Sequence, residues 1–80
     1  MDTRDKIAAD LRAAIEAQPR LDATLDSACR RIVMMLTIEF DAATFDAEEY
    51  ARCNVHFDAA RAAAIDGART IKRLERLVLM

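Results

Sequence analysis

Apolar and small residues recur in the C-terminal third of the chain at alternating steps of three and four residues. Alternation of this kind places every member on one face of a helix, as in the seam of a coiled coil. The pattern predicts a long helix over residues 47–79. The members are Tyr50, Cys53, Phe57, Ala60, Ala64, Gly67, Ile71, Leu74 and Val78.

The residues before this seam form a helix start. Asp46 can accept hydrogen bonds from the first turn, and Glu49 has the spacing of a capping box. Phe45 and Tyr50 have the spacing of a hydrophobic staple. Gly67 leaves two alternatives, a continuous helix or a break. Continuity is favoured because the seam keeps its phase across Gly67 and no Pro follows.

Two shorter helices are expected before the long one. A stripe including Ile7 and Leu11 predicts a first helix over residues 4–18, capped by Asp2 or Thr3. Pro19 should end it, because the residue before a proline avoids the helical conformation. A second helix is expected over residues 23–40, capped by Asp22 or Thr24. Its stripe consists of Leu25, Ala28 or Cys29, Ile32, Met35 or Leu36, and Phe40.

The expected fold is all-α, a single small domain over residues 1–80 with a short, a medium and a long helix. Residues 32–38 are apolar on every side, and a strand is the alternative there. Helix is favoured because no second strand exists to pair with it. A helix apolar on all sides must be buried on all sides, and the tail of the long helix should overhang the other two.

The uncovered sides of residues 32–38 and the overhanging tail of the long helix both predict a helical-bundle homodimer. The expected interface with a second copy or a partner combines the apolar run with the C-terminal end of the long helix. Its residues are Ile32, Val33, Met34, Met35, Ile38, Ile71, Leu74, Leu77 and Val78.

Composition agrees with a helical protein of 80 residues, since 54% are hydrophobic, many of them Ala, with one Gly, one Pro and no Trp. The preference for Arg and Ala suggests a GC-rich bacterial or phage genome. The N-terminus lacks a signal peptide's apolar core and no stretch is long enough to span a membrane. With two cysteines and no disulfide framework, a cytoplasmic location without membrane association is expected.

Charge is distributed unevenly along the chain. Residues 1–50 carry 6 basic and 11 acidic side chains, and residues 51–80 carry 6 and 3. This asymmetry suits the helix dipole or, alternatively, a head-to-tail contact between two chains. A basic stripe on the long helix is either a solvated face or a contact for an anionic partner; it comprises Arg69, Lys72, Arg73 and Arg76. An acidic region comprises Glu39, Asp41, Asp46, Glu48 and Glu49.

Metal and catalytic chemistry are not favoured. Cys53 and His56 share a helix face, and Cys29 could join them, but a structural zinc site normally needs four ligands. The same pair lacks an orienting group for nucleophilic catalysis. Cys53 also belongs to the seam, where a thiol packs as a small apolar group. We therefore expect no metal, no cofactor and no enzymatic activity.

The expected function is regulation by non-catalytic binding of a partner protein, as an adaptor, an antitoxin-like protein or a phage-encoded inhibitor. In a sharper version, the acidic region mimics nucleic acid toward a basic partner. The alternative is a dimeric nucleic-acid-binding regulator that uses the basic stripe, although the overall acidic charge disfavours it.

Overall fold

The computed structural model describes residues 2–37 and 41–79, and these form a helical hairpin. Helix α1 spans Thr3–Thr37 and helix α2 spans Ala47–Leu79. The helices are antiparallel, because the guanidinium of Arg4 lies 3.5 Å from the carbonyl oxygen of Val78 at the end opposite the connection. The hairpin is a rod with extents of 62 × 17 × 17 Å. The all-α expectation is confirmed for the described residues.

The prediction of three helices is wrong, because α1 continues through Pro19. Pro19 cannot donate a hydrogen bond to the carbonyl of Ile15, which costs an interior helix about 3 kcal/mol. Packing of the seam on both sides of Pro19 against α2 offsets this cost, and Pro19 itself faces solvent. The α1 seam keeps a three–four alternation throughout: Ile7, Leu11, Ala14, Gln18, Leu21, Leu25, Ala28, Ile32 and Met35.

The residues expected to cap a second helix have other roles inside α1. Asp22 accepts a hydrogen bond from the side-chain amide of Gln18 at 3.0 Å. The hydroxyl of Thr24 donates to the carbonyl of Arg20 at 2.9 Å, a common way for a mid-helix hydroxyl to be satisfied. Residues 38–40, where that helix was expected to end, lie outside the described residues.

Helix α2 agrees with its predicted bounds and continues through Gly67, which has no positive φ. One carboxylate oxygen of Asp46 accepts hydrogen bonds from the backbone N–H groups of Glu48 and Glu49, both at 3.0 Å. The rings of Phe45 and Tyr50 lie 5.5 Å apart and form the expected staple. The second half of the capping box is not formed, because Glu49 accepts from Arg52 instead.

The tail of α2 does not overhang the rest of the chain. Because α1 is unbroken, its 35 residues match the 33 residues of α2 in length. The tail therefore packs along the N-terminal half of α1, where Leu74 is buried. At the opposite end a turn begins at Asp41, whose carbonyl and carboxylate accept from the N–H groups of Thr44 and Ala43.

The hairpin has a thin core. The buried hydrophobic residues in the described ranges are Ala28, Met35, Ala60, Ala64 and Leu74. The chain exposes 6214 Å² of surface at 9.0 kDa, whereas a compact monomer of that mass exposes about 4,850 Å². Its radius of gyration is 18.0 Å, against about 12 Å for a compact domain of this length. An isolated hairpin therefore leaves much apolar surface uncovered.

Candidate interaction surfaces

The residues of the predicted interface divide into two groups. Five of them contribute to the seam within the hairpin: Met35 and Leu74 are buried, and Ile32, Ile71 and Val78 are half-buried. Three are exposed large hydrophobics: Val33, Met34 and Leu77. Ile38 lies outside the described residues. Only the second group is available to another molecule while the hairpin is intact.

The exposed members lie near opposite ends of the rod. Val33 and Met34 are close to the connection, where Leu36 is 45% exposed as well. We call these three residues the loop-end patch. Leu77 lies near the other end, beside the N-terminal turns of α1. Because the rod is 62 Å long, the two exposures cannot form one continuous patch on a single chain.

A further surface runs along one side of both helices, next to the two seams, and we call it the lateral face. A groove between the helices shows that its two rows lie on the same side, since its lining combines Asp22, Asp26 and Cys29 of α1 with Arg61 and Ile65 of α2. The α1 row comprises Ala8, Arg12, Ile15, Pro19, Asp22, Asp26, Cys29 and Val33. The α2 row comprises Asn54, Asp58, Arg61, Ile65, Ala68, Lys72 and Glu75.

Apolar side chains occupy the middle of the lateral face. Ile15 is 49% exposed and Ile65 is 40% exposed, and both Pro19 and Ala68 are exposed between them. The unbroken α1 seam passes through Ala14, which places Ile15 one position away from it on the lateral face. The signal that could have revealed the lateral face was the strict heptad phase on both sides of Pro19.

A polar layer crosses the hairpin at its midpoint. The side-chain amide nitrogen of Gln18 donates to the carbonyl of Ala64 at 3.0 Å and to the carboxylate of Asp22. The amide oxygen of Gln18 is buried without a hydrogen-bond partner in the described part of the chain. A Cβ on Gly67 would overlap this oxygen and would also meet Leu21. Gly67 is therefore a close-contact residue, as the small centre of the seam suggests.

The basic stripe lies on the outer side of α2, and its members are exposed. All four side chains line one shallow groove together with Leu77. The arrangement combines four cations with an apolar side chain that is 44% exposed. Such a surface suits an anionic partner, whether a phosphate backbone or an acidic protein.

Part of the acidic region stabilises the hairpin itself. Asp41 and Asp46 accept the backbone hydrogen bonds of the turn and the helix start. Glu49 pairs with Arg52 at 3.0 Å and with Arg31 of the other helix at 3.7 Å. The hydrogen bond to Glu49 raises the pKa of Arg52 above its ordinary value. Glu39 lies outside the described residues.

The cysteine and histidine candidates do not come together as a ligand set. Cys29 and His56 are exposed, whereas Cys53 is half-buried, with its sulfur 3.9 Å from a carboxylate oxygen of Glu49. Within residues 2–37 and 41–79, no three His, Cys, Asp or Glu side chains are grouped so that they could hold a metal ion.

Neither described helix has a stretch that is both long and apolar enough to cross a membrane. No family profile, curated protein or solved structure is significantly similar to the chain.

Proposed function

We propose that this chain is a non-catalytic interaction protein that acts in regulation by binding a partner protein. The observation that carries the proposal is the exposure of large apolar side chains on a hairpin with a thin core. The clearest case is the loop-end patch, where Val33, Met34 and Leu36 are each at least 40% exposed. Burial of such side chains contributes about 25 cal/mol per Å², so contact with another protein would stabilise both molecules.

The partner-binding surface is the loop-end patch together with the acidic groups beside it. Apolar side chains rimmed by charge are typical of protein interaction sites. Asp46 and Glu48 are exposed at the same end of the rod and favour a partner with basic residues around an apolar centre. An adaptor, an antitoxin-like regulator and a phage-encoded inhibitor all act through contacts of this kind.

The experiment is affinity capture from source cells with the full chain as bait, followed by reconstitution with the purified partner. An M34D variant should lose the partner, because a carboxylate would be placed in the apolar contact; Met34 is 40% exposed and lies outside the lateral face. Val55 is 71% exposed on the outer side of α2, so V55D is the matched control and should retain it. The proposal fails if no protein is held in stoichiometric amount, or if both variants retain the partner equally.

A second candidate function is binding of nucleic acid through the basic stripe. It is favoured by the single groove that Arg69, Lys72, Arg73 and Arg76 share. A DNA or RNA titration at low and moderate salt tests it, since the affinity of phosphate contacts falls steeply as salt rises. Replacement of the four residues by Ala should abolish binding. Unchanged binding in that variant, or none in the parent at low salt, removes this candidate.

A further inference from the structure

Four charges of the lateral face, two on each helix, lie two turns from the midpoint of their helix and have opposite signs on its two sides. On α1, Arg12 lies two turns before Pro19 and Asp26 lies two turns after it. On α2 the order is reversed, with Asp58 two turns before Ile65 and Lys72 two turns after it. The two midpoints face each other across the hairpin, because the neighbouring residues Gln18 and Ala64 are hydrogen-bonded at 3.0 Å.

We propose that two copies of the chain pack antiparallel through their lateral faces into a four-helix dimer. The inference rests on the proposed function, in which the chain is an interaction protein, and names a second copy as one partner. A two-fold axis through the midpoint, perpendicular to the rod, places α1 on α1 and α2 on α2. Arg12 then faces Asp26 of the second copy, and Asp58 faces Lys72 of the second copy.

The parallel arrangement is disfavoured by the same charges. A two-fold axis along the rod places α1 of one copy on α2 of the other, with the connections at the same end. Arg12 would then face Lys72, and Asp26 would face Asp58. These like-charge contacts outnumber the one contact of opposite charge, between Asp22 and Arg61. Like-charge contacts across an interface cost several kcal/mol and reject the wrong geometry. The charge pattern therefore selects the antiparallel dimer.

The centre of the antiparallel contact is apolar. Ile15, Pro19, Ile65 and Ala68 lie within about one turn of the axis, so the two copies bring these side chains against each other. Of the charged residues, Asp22 and Arg61 border this centre at the groove between the helices. Arg12, Asp26, Asp58 and Lys72 lie two turns away and form the polar part of the interface. An apolar centre with charged residues around it is the usual anatomy of a protein interface.

The lateral face is large enough for a stable dimer. From Ala8 to Val33 the face is about 38 Å long by the helical rise, and the rod is 17 Å wide. One face therefore covers about 650 Å² and two faces bury about 1,300 Å², within the range of standard stable interfaces. A contact of this size would also cover Ile15 and Ile65, which are 49% and 40% exposed in the isolated hairpin.

The charges are available for contacts between copies. Arg12, Asp58 and Lys72 make no ion pair with another residue in the described part of the chain. Asp26 pairs with Arg30 at 3.1 Å, with the two side chains 60% and 77% exposed. An exposed pair of this kind contributes little to stability, so it does not hold Asp26 away from a second copy.

Charge reversal tests the proposal with the full chain. R12D and D26R should each raise the dissociation constant of the dimer at least about tenfold, because each variant places two like-charge contacts in its own dimer. An equimolar mixture of R12D and D26R should dimerise again, since every contact in the mixed dimer is of opposite sign. Sedimentation equilibrium gives the mass, and circular dichroism verifies that both variants remain helical.

The matched control is R20D, because Arg20 is an exposed residue of α1 outside the lateral face. It should leave the dissociation constant within about twofold of the parent value. A parent that remains monomeric at all concentrations overturns the inference. The inference is also overturned if R12D and D26R raise the dissociation constant no more than R20D does. A mixture of R12D and D26R that remains monomeric overturns it as well.

A disulfide tests the direction of packing independently. Ala8 and Cys29 lie 21 residues apart on α1, about 32 Å by the helical rise, and cannot be joined within one chain. In the antiparallel dimer each Ala8 faces Cys29 of the second copy. A8C in a C53A background should therefore form a dimer linked through residues 8 and 29 on mild oxidation, and C53A alone should not. Absence of this link in a chain shown to be dimeric contradicts the antiparallel arrangement.

These outcomes are separate from those of the proposed function. A monomeric parent that still binds a partner protein through the loop-end patch overturns the dimer and leaves the proposed function intact. An antiparallel dimer that captures no partner protein overturns the proposed function and leaves the dimer inference intact.

Discussion

The side-chain amide of Gln18 occupies the space that a Cβ atom on Gly67 would need. The same amide donates to the carbonyl of Ala64 across the hairpin at 3.0 Å. Gln18 and Gly67 thus form a matched pair, in which a long polar side chain on one helix lies over the bare backbone of the other. A polar residue within an otherwise apolar seam is a known means of specifying register at some cost in stability.

We expect the effects of Gly67→Ala and Gln18→Ala on stability to be coupled. Alanine in place of a mid-helix glycine stabilises by about 1 kcal/mol. Gln18→Ala removes the nearer of the two side chains that the new methyl group would meet and leaves only the end of Leu21 to shift. In the parent, the methyl group must displace the Gln18 amide from Ala64, which offsets the gain. Urea unfolding of both single variants and the double variant measures the difference. Additive effects within about 0.3 kcal/mol would show that the two residues do not interact.

Pro19→Ala should stabilise the hairpin. The substitution restores the missing hydrogen bond to the carbonyl of Ile15 and removes the ring, for a gain of up to about 3 kcal/mol. Thermal and urea unfolding measure this gain in stability. Several protein concentrations are needed because Pro19 also lies at the centre of the lateral face, where the substitution could change dimerisation. Ser27→Ala, at an exposed position of the same helix, is the control and should gain about 0.5 kcal/mol or less. A destabilised Pro19→Ala would contradict our account of how α1 passes this residue.

Asp46→Ala should lower the free energy of unfolding by about 1 kcal/mol. The change removes the acceptor of two backbone hydrogen bonds at the start of α2. Asp46→Asn keeps a side-chain oxygen in place and should cost only a few tenths of that amount. Equal losses in the two variants would indicate that the negative charge, rather than the hydrogen bonds, stabilises the helix start.

Leu74→Ala and Leu79→Ala should differ sharply, although the chemical change is identical. Leu74 is 8% exposed and Leu79 is 86% exposed, so only the first truncation leaves a cavity between α1 and α2. We expect a loss of about 2–4 kcal/mol for Leu74→Ala and less than about 0.5 kcal/mol for Leu79→Ala. If the loss at Leu74 disappears at low protein concentration, Leu74 packs against a second molecule and not within the hairpin.

The sequence predicts α2 almost completely, because its seam, cap and staple all depend on residues close together in the chain. The prediction from the sequence fails at Pro19, because the residue before a proline avoids the helical conformation and so favours a helix end. The α1 seam is equally regular, but packing along the whole length of α2 decides whether the helix continues. The buried role of Leu74 could not be predicted for the same reason, since the tail of α2 lacks a neighbour unless α1 is unbroken.

The exposed apolar run was predictable, since residues 32–36 are more apolar than one helix face can hide. The arrangement of charges on the lateral face was not. Arg12, Asp26, Asp58 and Lys72 have no evident relationship in the sequence. Their symmetry becomes visible only once the hydrogen bond between Gln18 and Ala64 fixes how the two helices are aligned along the rod.

The antiparallel hairpin brings Arg4 and Val78 together at one end of a 62 Å rod, with the connection at the other. A force applied between these residues would pull the helices apart sideways, so the seam would open one layer at a time from that end. Such peeling meets far less resistance than sliding the helices along each other, which would strain every layer at once. Gln18 and Gly67 lie halfway along this path. The hairpin would therefore open in two stages, one before and one after its polar layer.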